Sequence, residues 1–216
     1  MQTATLKDTL TAWLDLEPLF MAKKKDSVSD LITVPPADRK IVDTLRLHKY
    51  NAVVAGGAAL LWYQNHSVQN HDIDLWLKND VDMLVAVSHL EKIGHLKIST
   101  KNAKTYIVTV DDKEYTVQLI NKTRATVEET LNDFDITVCK IATDGYRWWI
   151  GPDFAQDLKT RTLRMMHFKS NSMRRFVKYV TYGYEPEPTL LERLMNDPVV
   201  SWDFSDQSHE DYADGL

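Results

Sequence analysis

The run His71-Asp72-Ile73-Asp74-Leu75-Trp76-Leu77 sets two carboxylates two residues apart on an apolar stretch. Side chains alternate across a β-strand, so Asp72 and Asp74 project from one face while Ile73, Leu75 and Leu77 point the other way. Two carboxylates converging at the edge of a buried sheet repel each other and are costly to desolvate. A divalent cation is their natural partner, and hard oxygen ligands favour Mg²⁺ or Mn²⁺. The plainer reading is a charged strand end. Upstream, Val53-Val54-Ala55 is a short apolar strand ending in Gly56-Gly57, where the backbone can turn tightly into a helix starting near Ala58. The free N–H groups of such a helix start attract phosphate. Taken alone, the Gly-Gly pair is equally accounted for by a tight turn.

A strand, a Gly-Gly turn, a helix and a strand bearing Asp-x-Asp together resemble the polymerase-β-type nucleotidyltransferase superfamily. The resemblance implies an α+β fold, a small mixed sheet flanked by helices. It also implies that Gly56 and Gly57 hold a nucleoside triphosphate. Metal ions on Asp72 and Asp74 would activate an attacking hydroxyl and neutralise the leaving pyrophosphate. Further along, Asp133-Phe134-Asp135-Ile136-Thr137-Val138-Cys139-Lys140-Ile141-Ala142, then Asp144-Gly145, Gln156-Asp157-Leu158 and Leu163-Arg164, look like landmarks in the head domain of tRNA nucleotidyltransferases and bacterial poly(A) polymerases. Arg174-Arg175-Phe176-Val177-Lys178-Tyr179, followed by Gly183-Tyr184, looks like the arginine-rich helix that follows there. The overlap runs from Ala52 to Thr189. By this likeness Asp135 helps bind the nucleotide's sugar and the helix lies against the nucleotide. Arg174, Arg175 and Lys178 would then contact phosphate, with Tyr179 stacked on a base. The competing reading of that helix is a solvated basic face with Phe176 and Tyr179 as core contacts.

Departures from the family pattern bear on the activity expected. The helix after Gly-Gly is apolar, Ala58-Ala59-Leu60-Leu61, where the tRNA enzymes place an arginine and an aspartate. Their paired arginines before the sugar-binding aspartate are replaced by Asp133-Phe134. Nothing matching the helical neck, body and tail that grip tRNA follows, so CCA addition is not expected. On the strand where a third metal carboxylate is normal, the nearest counterpart is Gln118, a neutral amide. Three explanations stay open: Asp135 acts as surrogate, two carboxylates with substrate phosphates and water suffice, or catalysis has been lost. Glu114 on the same strand reads as an exposed charge.

Composition frames these readings. The 216 residues are 44% hydrophobic and 26% charged, ordinary for a globular protein. No apolar run reaches membrane-spanning length and the N-terminus lacks a signal-peptide pattern, so a cytoplasmic, membrane-free protein is expected. Cys139 stands alone, which excludes an internal disulfide and a cysteine-based zinc site. The net charge of −5 hides an uneven distribution. Between Leu158 and Tyr184 there is no acidic residue, while Lys159, Arg161, Arg164, Lys169, Arg174, Arg175 and Lys178 form a basic stripe. From Glu185 the sign reverses, and 190–216 reads as a mobile acidic tail or partner-docking peptide.

Leu6, Leu10, Trp13, Leu14 and Glu17 suggest a first amphipathic helix, and Ala37 to Leu47 a second. Val81 to Ile93 reads as a third. His95–Ser99, Lys104–Val110 and Lys113–Ile120 alternate as strands, the last two joined at Asp111-Asp112. Thr126-Val-Glu-Glu129 is a capping box, and Asp135 to Ala142 reads as another strand holding Cys139 in its core. The expected organisation is one nucleotidyltransferase-like domain over 1–189, with a core at 46–150 and a basic helical segment at 158–184. The expected activity is metal-dependent transfer of NMP from an NTP, ATP among them, to a hydroxyl of RNA, a small molecule or a protein. The alternative is a non-catalytic module of the same fold that binds nucleic acid or a protein partner.

Overall fold

A seven-stranded mixed sheet organises residues 34–201, the part of the chain that the computed structural model describes. Its strands are β1 (Val53–Ala55), β2 (Ile73–Trp76), β3 (Gly94–Ser99), β4 (Ala103–Val110), β5 (Lys113–Ile120), β6 (Ile141–Thr143) and β7 (Trp148–Ile150). They lie in the order β3-β4-β5-β2-β1-β6-β7. Only β2 and β5 pair in parallel, with Asp74 opposite Gln118. Around the sheet run α1 (Arg39–Leu45), α2 (Gly57–Tyr63), α3 (Asp80–Ile93), α4 (Val127–Asn132), α5 (Phe154–Thr160), α6 (Ser172–Thr181) and α7 (Leu190–Asn196). A two-stranded parallel ladder joins β8 (Thr162–Leu163) to β9 (Glu185–Pro186). The helix expected around Leu6 to Glu17, and the acidic residues from Asp203 onward, lie outside the described residues.

Local chemistry accounts for several of these elements. Asp111 and Asp112 both take positive φ, 50° and 61°, the turn that matches strand twist in a two-residue hairpin. The register then runs unbroken from Val110 opposite Lys113 to Ala103 opposite Ile120. Thr126 caps α4 by accepting from the Glu129 N–H at 3.1 Å, and Asn79 caps α3 by accepting from Asp82 at 2.9 Å. Trp62, Trp76, Tyr106, Tyr115, Phe134 and Phe154 fill one core. The apolar start of α2 belongs to it, with Ala58, Ala59 and Leu60 all buried.

Three expectations are corrected. Asp135 to Ala142 is not one strand, because Thr137–Cys139 forms a 3₁₀ turn and only Ile141–Thr143 joins the sheet. The Thr137 N–H donates to the Arg164 carbonyl at 3.1 Å and its hydroxyl to the buried Asp157 carboxylate at 2.6 Å, which pulls the backbone off the ladder. Cys139 is buried as expected, but in that turn, with Sγ 2.7 Å from the Tyr179 hydroxyl. The helix expected over Ala37 to Leu47 is divided into a 3₁₀ turn at Pro36–Asp38, α1, and a second 3₁₀ turn at Leu47–Tyr50, since Arg46 adopts a left-handed conformation. The segment after residue 189 does not start as a tail. It forms α7, whose Leu190 and Leu194 are fully buried.

Candidate active site

The sharp turn after β1 depends on Gly56. Its φ of 79° is a conformation side chains rarely adopt, and an added Cβ would stand 2.5 Å from the Phe134 ring. Phe134 thus occupies the space that glycine leaves and ties this turn to the segment carrying Asp135. The Gly56 N–H donates to the Ile141 carbonyl at 3.0 Å, holding the turn against β6. A Cβ on Gly57 would meet nothing within 4 Å. No side chain caps α2, and its first turn holds no acid. Its opening N–H groups therefore begin beside open space.

β2 runs antiparallel to β1, which brings its N-terminal end with Asp72 and Asp74 to the same edge of the sheet as Gly56. Burial, reinforced by the Asp72 charge, pushes the Asp74 carboxyl up to about 8, against the opposing pull of Lys178 and Arg175. Asp74 accepts no hydrogen bond among the described residues. Gln118 lies beside Asp74 on β5 and donates its Nε2 to Asp72 Oδ2 at 3.1 Å. Burial and the nearby Lys178 hold the His71 imidazole below its usual value, although Asp72 acts the other way. These carboxylates suit a divalent cation: two hard oxygen donors share a face, and the more enclosed one holds its proton for want of a counter-charge. Among the described residues no three His, Cys, Asp or Glu side chains gather where they could hold a metal ion. Among the described residues the pair therefore stands without a third carboxylate.

The remaining expected residues divide. Asp135 is fully buried and its Oδ1 lies 2.5 Å from Arg175 Nη1, so these two side chains are engaged with each other. Lys178 is exposed and its charge reaches Asp74. Arg174 is half-buried and itself engaged. The Tyr179 ring packs in the core, edge-on to Tyr182 and Tyr184, with its hydroxyl against Cys139. Phe176 and Tyr179 are thus buried among core residues, while Arg175 on the same helix is turned inward to Asp135. The basic stripe is likewise not one solvated face. Arg161 donates to the Tyr182 and Gly183 carbonyls, and Arg164 lies between Asp153, Asp157 and Glu187. Glu187 also pairs with Arg193 at 2.7 Å, so this acid after the stripe neutralises charges outside α6. A cavity of about 410 Å³, lined by Arg46, His48 and Tyr146 among others, opens at the other end of β1 and shares no residue with the carboxylate pair.

Sequence reasoning gave no role to two acids and a base. Asp38, in a proline-flanked turn, accepts from Trp62 Nε1, Ser67 Oγ and the Val68 N–H at 2.8–2.9 Å. Asp157 anchors Thr137 and Arg164. Lys140 is 8% exposed inside an apolar run where only Cys139 drew notice.

The sequence profile of the Gabija anti-defense 2 family protein matches residues 22–161. The chain belongs to the Gabija anti-defense 2 family. Within that match fall Gly56, Gly57, Asp72, Asp74, Gln118 and Asp135, while α6 lies beyond it. No curated protein matches the chain. Among solved structures, it is similar to the Thermotoga maritima CCA-adding enzyme complexed with tRNA, with a TM-score of 0.55 at 18% identity over 74% of this chain and 42% of that one. A tRNA-processing enzyme in an apo form gives 0.55 at 14% identity over 74% and 46%. The Bacillus stearothermophilus CCA-adding enzyme in complex with CTP gives 0.50 at 16% over 76% and 44%. The chain spans less than half the length of these proteins. At such identities the likeness is one of fold, and this member of the Gabija anti-defense 2 family has the polymerase-β-like nucleotidyltransferase fold.

Proposed function

We propose that this protein is a metal-dependent nucleotidyltransferase that moves NMP from an NTP onto a hydroxyl acceptor. The observation that carries the reading is the pair Asp72 and Asp74 on one face of β2, at the sheet edge that also holds the open Gly56-Gly57 turn. Asp72 and Asp74 would hold Mg²⁺ or Mn²⁺, which when bound supplies charge neutralisation for the transferring phosphoryl group. With its carboxyl raised to about 8, Asp74 would have to release a proton to serve as a ligand. The opening N–H groups of α2 would face the triphosphate, and Lys178 would add a cation from the α6 side. Arg175 would act from behind by holding Asp135 and, through it, the floor of the site. CCA-adding enzymes of this fold are known in complex with CTP, ATP and tRNA, which supports a nucleotide donor and keeps RNA among the candidate acceptors. The family's anti-defense name points to a component of the Gabija system as the other candidate, a protein.

The experiment is incorporation of labelled NMP with each of the four NTPs and Mg²⁺ or Mn²⁺, offering RNA and protein acceptors in parallel. Label should transfer to one acceptor class and vanish in Asp74→Asn. Transfer that survives that change rejects the reading.

One observation favours a second reading, a nucleotide-binding module without transfer. Gln118 stands beside Asp74 where a third carboxylate would be expected, and its amide donates to Asp72. Binding of NTP with Mg²⁺ but no product with any acceptor would support it.

A further inference from the structure

Lys140 follows the Thr137–Cys139 turn and precedes β6, and its stem is enclosed. The close approach is permitted by Gly151, where an added Cβ would stand 2.7 Å from Lys140 Cβ and 3.3 Å from its Cδ. The backbone is pinned there too, since the Gly151 N–H donates to the Lys140 carbonyl at 2.7 Å. The residue is only 8% exposed, yet its side chain has no hydrogen bond or ion pair among the described residues. Its ammonium is not among the polar atoms sealed from solvent, so it ends at an opening rather than in a closed void. A lysine whose stem is enclosed and whose ammonium ends at an opening without a counter-charge presents that charge to any anion entering there.

Other nitrogen donors surround that opening. The Met166 N–H donates to the Asp135 carbonyl at 2.7 Å, which brings the neighbouring His167 to the same region. Lys169 is partly buried, its Nζ 3.1 Å from the Asp133 carbonyl. Burial holds the His167 imidazole below its usual value, and Lys169, Lys140 and Arg175 all push it the same way against Asp135. Asp135 acts on His167 and Lys169 and is engaged with Arg175, while Asp133, which also acts on Lys169, is paired with Lys122 and Arg124. Positive charge is thus in excess locally, on a protein whose net charge is −5. The cluster also adjoins the carboxylate pair. Ile141, next to Lys140, accepts from Gly56, and Arg175 acts on both His167 and Asp74.

We infer that Lys140, with His167 and Lys169, forms a phosphate-binding subsite beside the Asp72–Asp74 pair. It deepens the nucleotidyltransferase reading by naming residues for a phosphate group, without requiring that transfer occur. That phosphate would come from the donor nucleotide's triphosphate or from the terminal phosphate of a nucleic-acid acceptor. Lysine suits such a group as a point charge with three donors.

The test is calorimetric titration of the full-length protein with tripolyphosphate in EDTA, so that neither metal nor transfer takes part. Lys140→Met should weaken binding at least about tenfold, the worth of one charge-assisted hydrogen bond, and Lys140→Arg should retain most of it. The melting temperature of Lys140→Met without ligand should be unchanged or higher, and the difference in affinity should shrink as salt rises. Equal tripolyphosphate affinity in wild type and Lys140→Met, or none in either at millimolar concentration, overturns the subsite. So does a lower melting temperature with unchanged affinity. Repeating the titration with an NTP and with 5′-phosphorylated and 5′-hydroxyl oligonucleotides assigns the source. Discrimination between the two oligonucleotides points to the acceptor, and loss confined to the NTP points to the donor. A protein inactive in transfer but dependent on Lys140 for tripolyphosphate would sink the catalytic reading and leave this one standing.

Discussion

Asp38 and Asp74 are two acids in one domain with opposite circumstances. Asp38 is fully buried just ahead of α1, and its two oxygens accept from the Trp62 indole, the Ser67 hydroxyl and the Val68 N–H, with the Tyr115 hydroxyl at 3.4 Å. Asp74 accepts no hydrogen bond among the described residues and faces a second carboxylate, and its carboxyl rises to about 8. The fold has completed the first environment and left the second incomplete. Carboxylates that join distant segments are met by donors, as Asp157 also is by Thr137 and Arg164. A carboxylate held in place without donors awaits something from solution.

The largest effect expected from this contrast is at Asp38. Asp38→Ala would leave an indole N–H, a backbone N–H and a hydroxyl without their acceptor in the core. At about 1–3 kcal/mol for each unsatisfied buried group, a loss of about 4 kcal/mol is expected in urea unfolding. A loss below about 1 kcal/mol would break the comparison, because it would mean that these donors find water or other partners easily.

Asp74→Asn should have the opposite sign. Its folded-state pKa lies above the ordinary 3.8, so ionising Asp74 opposes folding. The penalty is absent below about pH 4, grows as pH rises towards 8, and then levels off. The asparagine variant should therefore gain stability over wild type in metal-free buffer, by about 2–3 kcal/mol at pH 8 and much less at pH 5. Mg²⁺ should stabilise wild type and leave the variant unmoved. A variant less stable than wild type at pH 8 would make Asp74 a structural residue like Asp38.

These two acids were not equally legible in the sequence. Alternation along an apolar strand was enough to find Asp72 and Asp74, since period two assigns a face to each residue. The Asp111-Asp112 turn and the Thr126 cap were equally local. Asp38 had no local signal, because its donors arrive from Trp62, Ser67, Val68 and Tyr115 on other elements. Long-range partners also undid the strand reading of 135–142, where Thr137 answers to Arg164 and Asp157. The basic stripe misled for the same reason: a run of like charge in sequence says nothing of Glu187 or Asp135 folding onto its arginines. Lys140, read as part of 135–142, had no role of its own because a lone lysine in an apolar run looks like a strand end.

Gln118→Asp would sharpen the contrast by a smaller amount. It places a third carboxylate beside Asp74, at a position that now donates to Asp72. Like-charge repulsion and the lost hydrogen bond should destabilise the metal-free protein by about 1 kcal/mol at pH 8. Mg²⁺ should restore more stability to this variant than to wild type. Destabilisation with no added metal response would show that Gln118 serves only to hold Asp72.

The smallest effect expected is at Lys178, which acts on Asp74 from the exposed side of α6. Its ammonium lowers the Asp74 pKa, so Lys178→Ala should raise the carboxyl further above about 8. The pH at which Mg²⁺ binding reaches half its maximum should then rise by a fraction of a unit, because an exposed charge is well screened. Global stability should stay within about 0.5 kcal/mol, as for most surface substitutions. The shift should be larger in low salt than at 0.5 M, a dependence that separates a field effect from a change of shape. If the midpoint stays put at low salt, Lys178 contributes no charge to the carboxylate pair, and Arg175 is left as the cation of α6 that acts on Asp74.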